Sequence, residues 1–273
     1  MRRRQRGGRR QAHEARKAWI IGISAAVLLL GLASAGAYLH FTKRSTDRAT
    51  GCPKDSYDSI TVALVDLTDP VNPVQAAALR NALLKIRNGI PKYGRLEIYP
   101  LKPVTTSTIE PLFAGCSPGS GRDVDNAIYG NPELADRLWA KRFASKVDEV
   151  LRQLTQLPPQ NNSPLLEGIQ SVAVTAFGAP IAAHASEKKL ILLSDMIHHT
   201  SDLSMYQGAS DFKKFKTSQY YLRVKPILKD SDIDVFLIVR ETRKSVQQPP
   251  LYQFWVEYAA DAGGFLRDWN LLQ

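Results

Sequence analysis

The sequence predicts an α/β fold: a doubly wound, mainly parallel sheet preceded by one N-terminal transmembrane helix. Three observations carry this. Apolar strands at Ile60–Val65, Lys189–Asp195 and Asp232–Val239 are separated by helical patterns. Strands that alternate with helices build parallel sheets. Those strands are almost continuously apolar, as strands buried on both faces are.

The first element is the membrane segment. Residues 19–39 (WIIGISAAVLLLGLASAGAYL) hold no charge. As a helix they rise about 32 Å, close to a hydrocarbon core of roughly 30 Å. Trp19 and Tyr38 lie at the two ends, where amphipathic rings favour the interface. Arg2, Arg3, Arg4, Arg6, Arg9, Arg10, Arg16 and Lys17 precede it. Positive flanks stay cytoplasmic, so the expected topology is N-terminus inside and C-terminal domain outside, at an inner membrane and facing the periplasm. A cleaved signal peptide is the rival, since Ala33-Ser34-Ala35 fits a cleavage site. The apolar run continues past that site, which favours an anchor.

The expected organisation is a basic tail (1–17), a membrane helix (18–41), a polar linker (42–58) and a folded domain (59–273). Of the 36 Lys and Arg and 26 Asp and Glu, residues 1–44 hold ten and one. The remainder holds 26 and 25, a net charge of +1. Nine of the ten net positive charges therefore lie in residues 1–44, and the folded domain has no phosphate-binding footprint. Nucleic acid is not its expected partner. Both cysteines, Cys52 and Cys116, lie beyond the membrane segment. An even count in an oxidising compartment points to one disulfide, with two free thiols as the alternative.

Within the domain, Asn72-Pro73 with Gln75 reads as a capped helix start. Leu79, Leu83 and Ile86 recur at helical spacing, and Gly89-Ile90-Pro91 ends the helix. Arg95–Pro100 is a second short strand, and 101–132 reads as an irregular excursion. A long helix is predicted over 133–157, with Leu134, Leu138, Phe143, Val147, Leu151 and Leu154 as its apolar stripe. Ser163-Pro164 starts another helix. Residues 200–222 mix aromatics with lysine at low periodicity and read as a docking loop, a lid or plain loop packing. A last helix spans about Pro250–Ala262 before Gly263-Gly264, and Trp255 and Trp269 are expected to serve the core.

Two buried strands end in Asp66 and Asp195, at the carboxyl edge where such sheets bind ligands. Here the sequence resembles the von Willebrand factor type A (vWA) family, which includes the inserted domains of integrins. That family holds a divalent ion with D-x-S-x-S after the first strand, a threonine at a later helix start and an aspartate after a further strand. The first motif reads Asp66-Leu67-Thr68-Asp69-Pro70. Thr68 keeps a hydroxyl, while Pro70 removes the second one. Ser163 resembles the helix-initiating threonine, and Asp195 the third motif. The resemblance spans about 58–270 and implies Asp66, Thr68, Ser163 and Asp195 as ligands of Mg²⁺, whose chemistry favours an all-oxygen set. Without a metal, Asp66, Thr68 and Ser163 would be ordinary turn and cap residues.

The leading functional expectation is a non-enzymatic protein-interaction module. It would be anchored in lipid and would bind a protein partner at the Asp66–Asp195 edge, with or without the ion, as part of an envelope assembly. The alternatives are a metal-assisted envelope hydrolase using Asp66, Asp195 and His198, and a component of a DNA-transfer or defence complex. His198 and His199 otherwise read as a solvated loop. No H-E-x-x-H or phosphate-loop pattern occurs.

Overall fold

The computed structural model describes residues 5–42, 44–102, 108–124, 130–207 and 211–272. Arg2, Arg3, Arg4 and parts of the predicted excursion and of the 200–222 segment lie outside these residues. The chain divides into two compact units, Met1–Ser45 and Thr46–Gln273. Among its described residues the first contains one helix, α1 (Gln5–Thr42). Its segment Trp19–Tyr38 is long and apolar enough to cross a membrane.

The second unit is one six-stranded sheet with helices on both faces. Its strands are β1 (Ser59–Val65), β2 (Arg95–Pro100), β3 (Phe113–Cys116), β4 (Glu187–Ser194), β5 (Ser231–Ile238) and β6 (Phe265–Leu272). Their order is β3-β2-β1-β4-β5-β6, and only the β2–β3 pair is antiparallel. The doubly wound, mainly parallel class is therefore the observed one.

Alternation along the strands explains their apolar runs. Val62, Leu64, Leu190, Leu192, Ile233 and Val235 enter one core, beneath α5 (Leu165–Val172) and α8 (Pro249–Asp261). Ala63, Val65, Ile191, Leu193 and Ile238 enter the other, beneath α2 (Pro73–Gly89) and α4 (Ser145–Leu154). Each central strand thus feeds both faces. α5 approaches β1 so closely that a Cβ on Gly168 would stand 2.5 Å from Leu101 Cδ1 and 3.2 Å from Leu64 Cδ2.

Helix α2 starts as its sequence dictates. Asn72 accepts from Gln75 N, Gln75 returns the bond, and Pro73 opens the helix. Gly263, at φ 83°, ends α8 in the left-handed region.

Several expectations are corrected. The excursion 101–132 contains β3, whose four residues are too short to show alternation. The C-terminal segment forms β6. It is an edge strand, so its polar, largely exposed residues do not read as a buried one. The helix expected over 133–157 is α3 (Pro132–Trp139), a π-turn at Ala140–Ala144, then α4. Leu134 and Leu138 remain 53% and 36% exposed, because the apolar stripe reaches the core only from Phe143 onward. Of the described part of the segment after residue 200, residues 212–224 supply core. Phe212 and Phe215 on α6 (Phe212–Lys216) are buried against Phe254 and Tyr258 of α8, and the buried Tyr220 and Tyr221 on α7 (Gln219–Val224) pack edge-on against Phe215. Aromatic mass in short helices supplied core there without a readable period. Trp255 is buried, whereas Trp269 is only partly so and meets Tyr252 edge-on at 5.1 Å.

Candidate functional site

The chain leaves β1 through a tight turn built on Asp66. Its Oδ1 accepts from Thr68 N at 3.0 Å and from Thr68 Oγ1 at 2.7 Å. Its Oδ2 accepts from Ser163 Oγ at 2.9 Å and Ser194 Oγ at 2.8 Å. One carboxylate therefore ties together the ends of β1 and β4 and the entry to α5. Asp66, Thr68 and Ser163 are 2%, 4% and 6% exposed. Ser163 is not a helix cap: its hydroxyl points to Asp66, and its backbone forms a two-way bridge with His199 at 2.9 Å each way. That bridge holds the entry to α5 against the exit of β4.

The β4 exit is itself constrained. Met196 is buried with φ 61°, a conformation that costs roughly 1–3 kcal/mol and persists only when its surroundings hold it. The holding contacts are Met196 N to Ser194 Oγ at 2.9 Å and Trp255 Nε1 to Met196 O at 2.9 Å. This turn places Asp195, 4% exposed, beside the Asp66 cluster. Asp195 Oδ1 accepts from Ile197 N at 2.9 Å, and Arg240 Nε lies 3.3 Å from Oδ2. Burial pushes the Asp195 carboxyl well above its ordinary range, and the Asp66 carboxylate adds to the rise. The Ile197 amide and Arg240 oppose it.

Arg240 follows β5 and completes the centre. One terminal nitrogen donates to Pro70 O, and the other to Asp69 O at 3.1 Å. Gln247 accepts from Arg240 N at 2.7 Å and donates to Asp195 O at 3.0 Å. The sequence reading missed Ser194, Arg240 and Gln247 as site residues. The strand-end rule that singled out Asp66 and Asp195 would have found Arg240, had it been applied to the third strand.

Around the centre lies a more exposed rim. Arg243 sits over the Tyr206 ring at 4.4 Å, and the His199 ring is 5.0 Å from that of Tyr206. Burial and the nearby Asp195 and Asp69 carboxylates push the Tyr206 hydroxyl up to about 12. A concavity of about 880 Å³ lies elsewhere. It follows the sheet face between α2 and β6, and none of the four predicted ligands lines it.

As it stands, the donor set does not fit a divalent ion. Asp66 already accepts four hydrogen bonds, Pro70 offers no side-chain oxygen, and a guanidinium adjoins Asp195. Among the described residues no group of three His, Cys, Asp or Glu side chains is placed to hold a metal.

His198 is not solvated, contrary to expectation; it is fully buried. Leu166 N donates to its Nδ1 at 3.4 Å, which leaves the proton on Nε2, 3.1 Å from the Tyr220 hydroxyl. Tyr220 in turn donates to Glu167 Oε1 at 2.5 Å. A side chain without exposure cannot reach a substrate, which removes the hydrolase role drawn for it. Burial, with a smaller push from His199, lowers the His198 pKa to about 3. The unfolded chain takes up this proton near the ordinary value of about 6.5, and the folded chain does not. Stability from this group is therefore complete above pH 6.5 and is lost as pH falls toward 3. Between pH 7 and pH 5 the wild type should lose about 2 kcal/mol more than His198→Gln. The buried Glu167 and Asp195 carboxyls, both raised, act in the opposite direction in both proteins. Urea titrations at the two pH values check the difference.

A mainly parallel sheet with an Asp-x-Thr turn after β1, a serine at the entry to α5 and an aspartate after β4 has the layout that the vWA resemblance implies. The fold is vWA-like. No family model matches the chain, and no curated protein is significantly similar to it. Among solved structures it is similar to the VWA domain of SpRpn10, at 12% identity and TM-score 0.38, over 79% of this chain and 89% of that one. It is also similar to the human COPII-coat protein Sec24c, at 11% identity and TM-score 0.39, over 81% of this chain and 31% of that one.

Proposed function

We propose that the chain is a membrane-anchored, non-catalytic module that docks a partner protein at the carboxyl-end rim of β1, β4 and β5. The anchor is the apolar segment Trp19–Tyr38. The basic residues before it orient the N-terminus toward the cytoplasm and the second unit outward, at an inner membrane, as one subunit of an envelope assembly. The observation that carries the docking reading is a rigid hub supporting a Tyr–Arg rim. Asp66 is saturated with hydrogen bonds, so it positions the loops instead of reacting. Above it, Tyr206 and Arg243 stack on each other. Tyrosine and arginine are the residue types that most often dominate protein–protein binding energy.

A photo-crosslinking residue at Tyr206 tests this in native membranes. One protein adduct is expected from that position, and it should weaken at least about tenfold with Arg243→Glu, a loss of roughly 1.4 kcal/mol or more. The same probe at Leu222, which is exposed elsewhere, should give none. Equal adducts from both positions, or an adduct indifferent to Arg243→Glu, would overturn the assignment of the rim.

A further inference from the structure

Two carboxylates buried side by side require a counter-charge. In this centre a guanidinium supplies it. Arg240 is 10% exposed at its side chain, and Asp195, its partner, is 5% exposed. The ion pair is fixed from both sides. The terminal nitrogens of Arg240 donate to the carbonyls of Asp69 and Pro70, in the loop after β1. Its backbone N–H donates to Gln247, which also binds the carbonyls of Asp195 and Ile238. The loop that would contribute ligands to an ion thus grips the same cation as Asp195. Pro70 has no side-chain donor, but its carbonyl is used by that guanidinium. Arginine stays charged at every physiological pH, so a divalent ion lodged among these oxygens would meet a permanent positive charge.

We infer that Arg240 takes the place of a metal ion in the Asp66–Asp195 centre, which makes the centre a self-contained, metal-independent clamp. One side chain joins the β1, β4 and β5 exits, a task for which an ion would otherwise be needed. The inference holds whether or not a partner docks on the rim.

The test uses the full chain in detergent, with Mg²⁺ and Mn²⁺ as probes. The wild type should unfold at the same temperature in millimolar Mg²⁺ and in chelator, and should give no bound-Mn²⁺ signal by electron paramagnetic resonance. Arg240→Met leaves Asp195 buried and unpaired. Its unfolding temperature should fall by on the order of 10 °C in chelator and recover in part with Mn²⁺, which can now enter. Arg240→Lys keeps the charge and should show a smaller fall and no metal response. Stoichiometric Mn²⁺ binding by the wild type, abolished by Asp66→Asn, would overturn the inference. So would a folded Arg240→Met variant indifferent to metal. Should that variant fail to fold, the wild-type Mn²⁺ spectrum and the Arg240→Lys response decide.

Discussion

Asp66→Ala should lower the unfolding free energy by about 4 kcal/mol. The substitution removes one carboxylate and orphans four donors: the Thr68 amide and the hydroxyls of Thr68, Ser163 and Ser194. All three hydroxyl-bearing residues are buried. Hydrogen bonds to charged groups are each worth roughly 1.5–3 kcal/mol, and a buried donor left alone costs about 1–3 kcal/mol. The sum is reduced because the hydroxyls can turn, and because Asp195 loses the neighbouring charge that opposes its ionisation. Asp66→Asn is the informative companion. Its amide oxygen still accepts at the Thr68 turn, and its NH₂ can donate to Ser163 and Ser194. A loss of only about 1–2 kcal/mol is therefore expected. Denaturant titrations of both variants check the order. An alanine variant within about 1 kcal/mol of wild type would mean that the hub does not hold the three chain exits together.

That prediction depends on contacts the sequence only half disclosed. Asp66 and Asp195 were legible because each follows a buried strand in an alternating pattern, and such positions converge on one edge of a parallel sheet; Thr68 and Ser163 were singled out only through the vWA resemblance. Arg240 follows the third predicted strand, so the same rule reaches it; it was passed over because an arginine at a strand end looks solvated until its partner is known. The central strands were legible because burial on both faces demands unbroken apolar runs, as in Ile191–Leu193. β3 was not, since four residues are too short to show alternation, and β6 was not, since this edge strand is largely exposed and carries polar residues such as Arg267 and Asp268. Burial of His198 could not be read either. It depends on Tyr220, 22 positions away, which closes over the ring from a helix with no strong period.

The disulfide is the second large term, and removing it should cost about 4 kcal/mol. Cys52 and Cys116 are bonded across a sequence separation of 64 residues. Closing a loop of that length in the unfolded chain accounts for about 4 kcal/mol in the chain-entropy view. The bond also has a local task. It pins β3, which runs antiparallel to β2, to the linker that precedes β1, where Cys116 N donates to Thr50 O at 2.9 Å. Beyond this tie, β3 is held by its ladder with β2 and by Phe113, which packs edge-on against Phe143 at 5.6 Å. Reduction, or paired Cys52→Ser and Cys116→Ser substitutions, should therefore shift the denaturation midpoint and speed amide exchange across Phe113–Cys116 more than in the central strands. An unchanged midpoint would show that the covalent tie adds nothing to the sheet. The same bond reports on topology. Disulfides persist in oxidising compartments and are rare in the cytosol. Membranes quenched with an alkylating reagent at lysis should yield a chain whose two cysteines resist labelling until reduced. Prompt labelling of both thiols would place the folded unit on the cytoplasmic side and reverse the orientation drawn from the basic residues before Trp19.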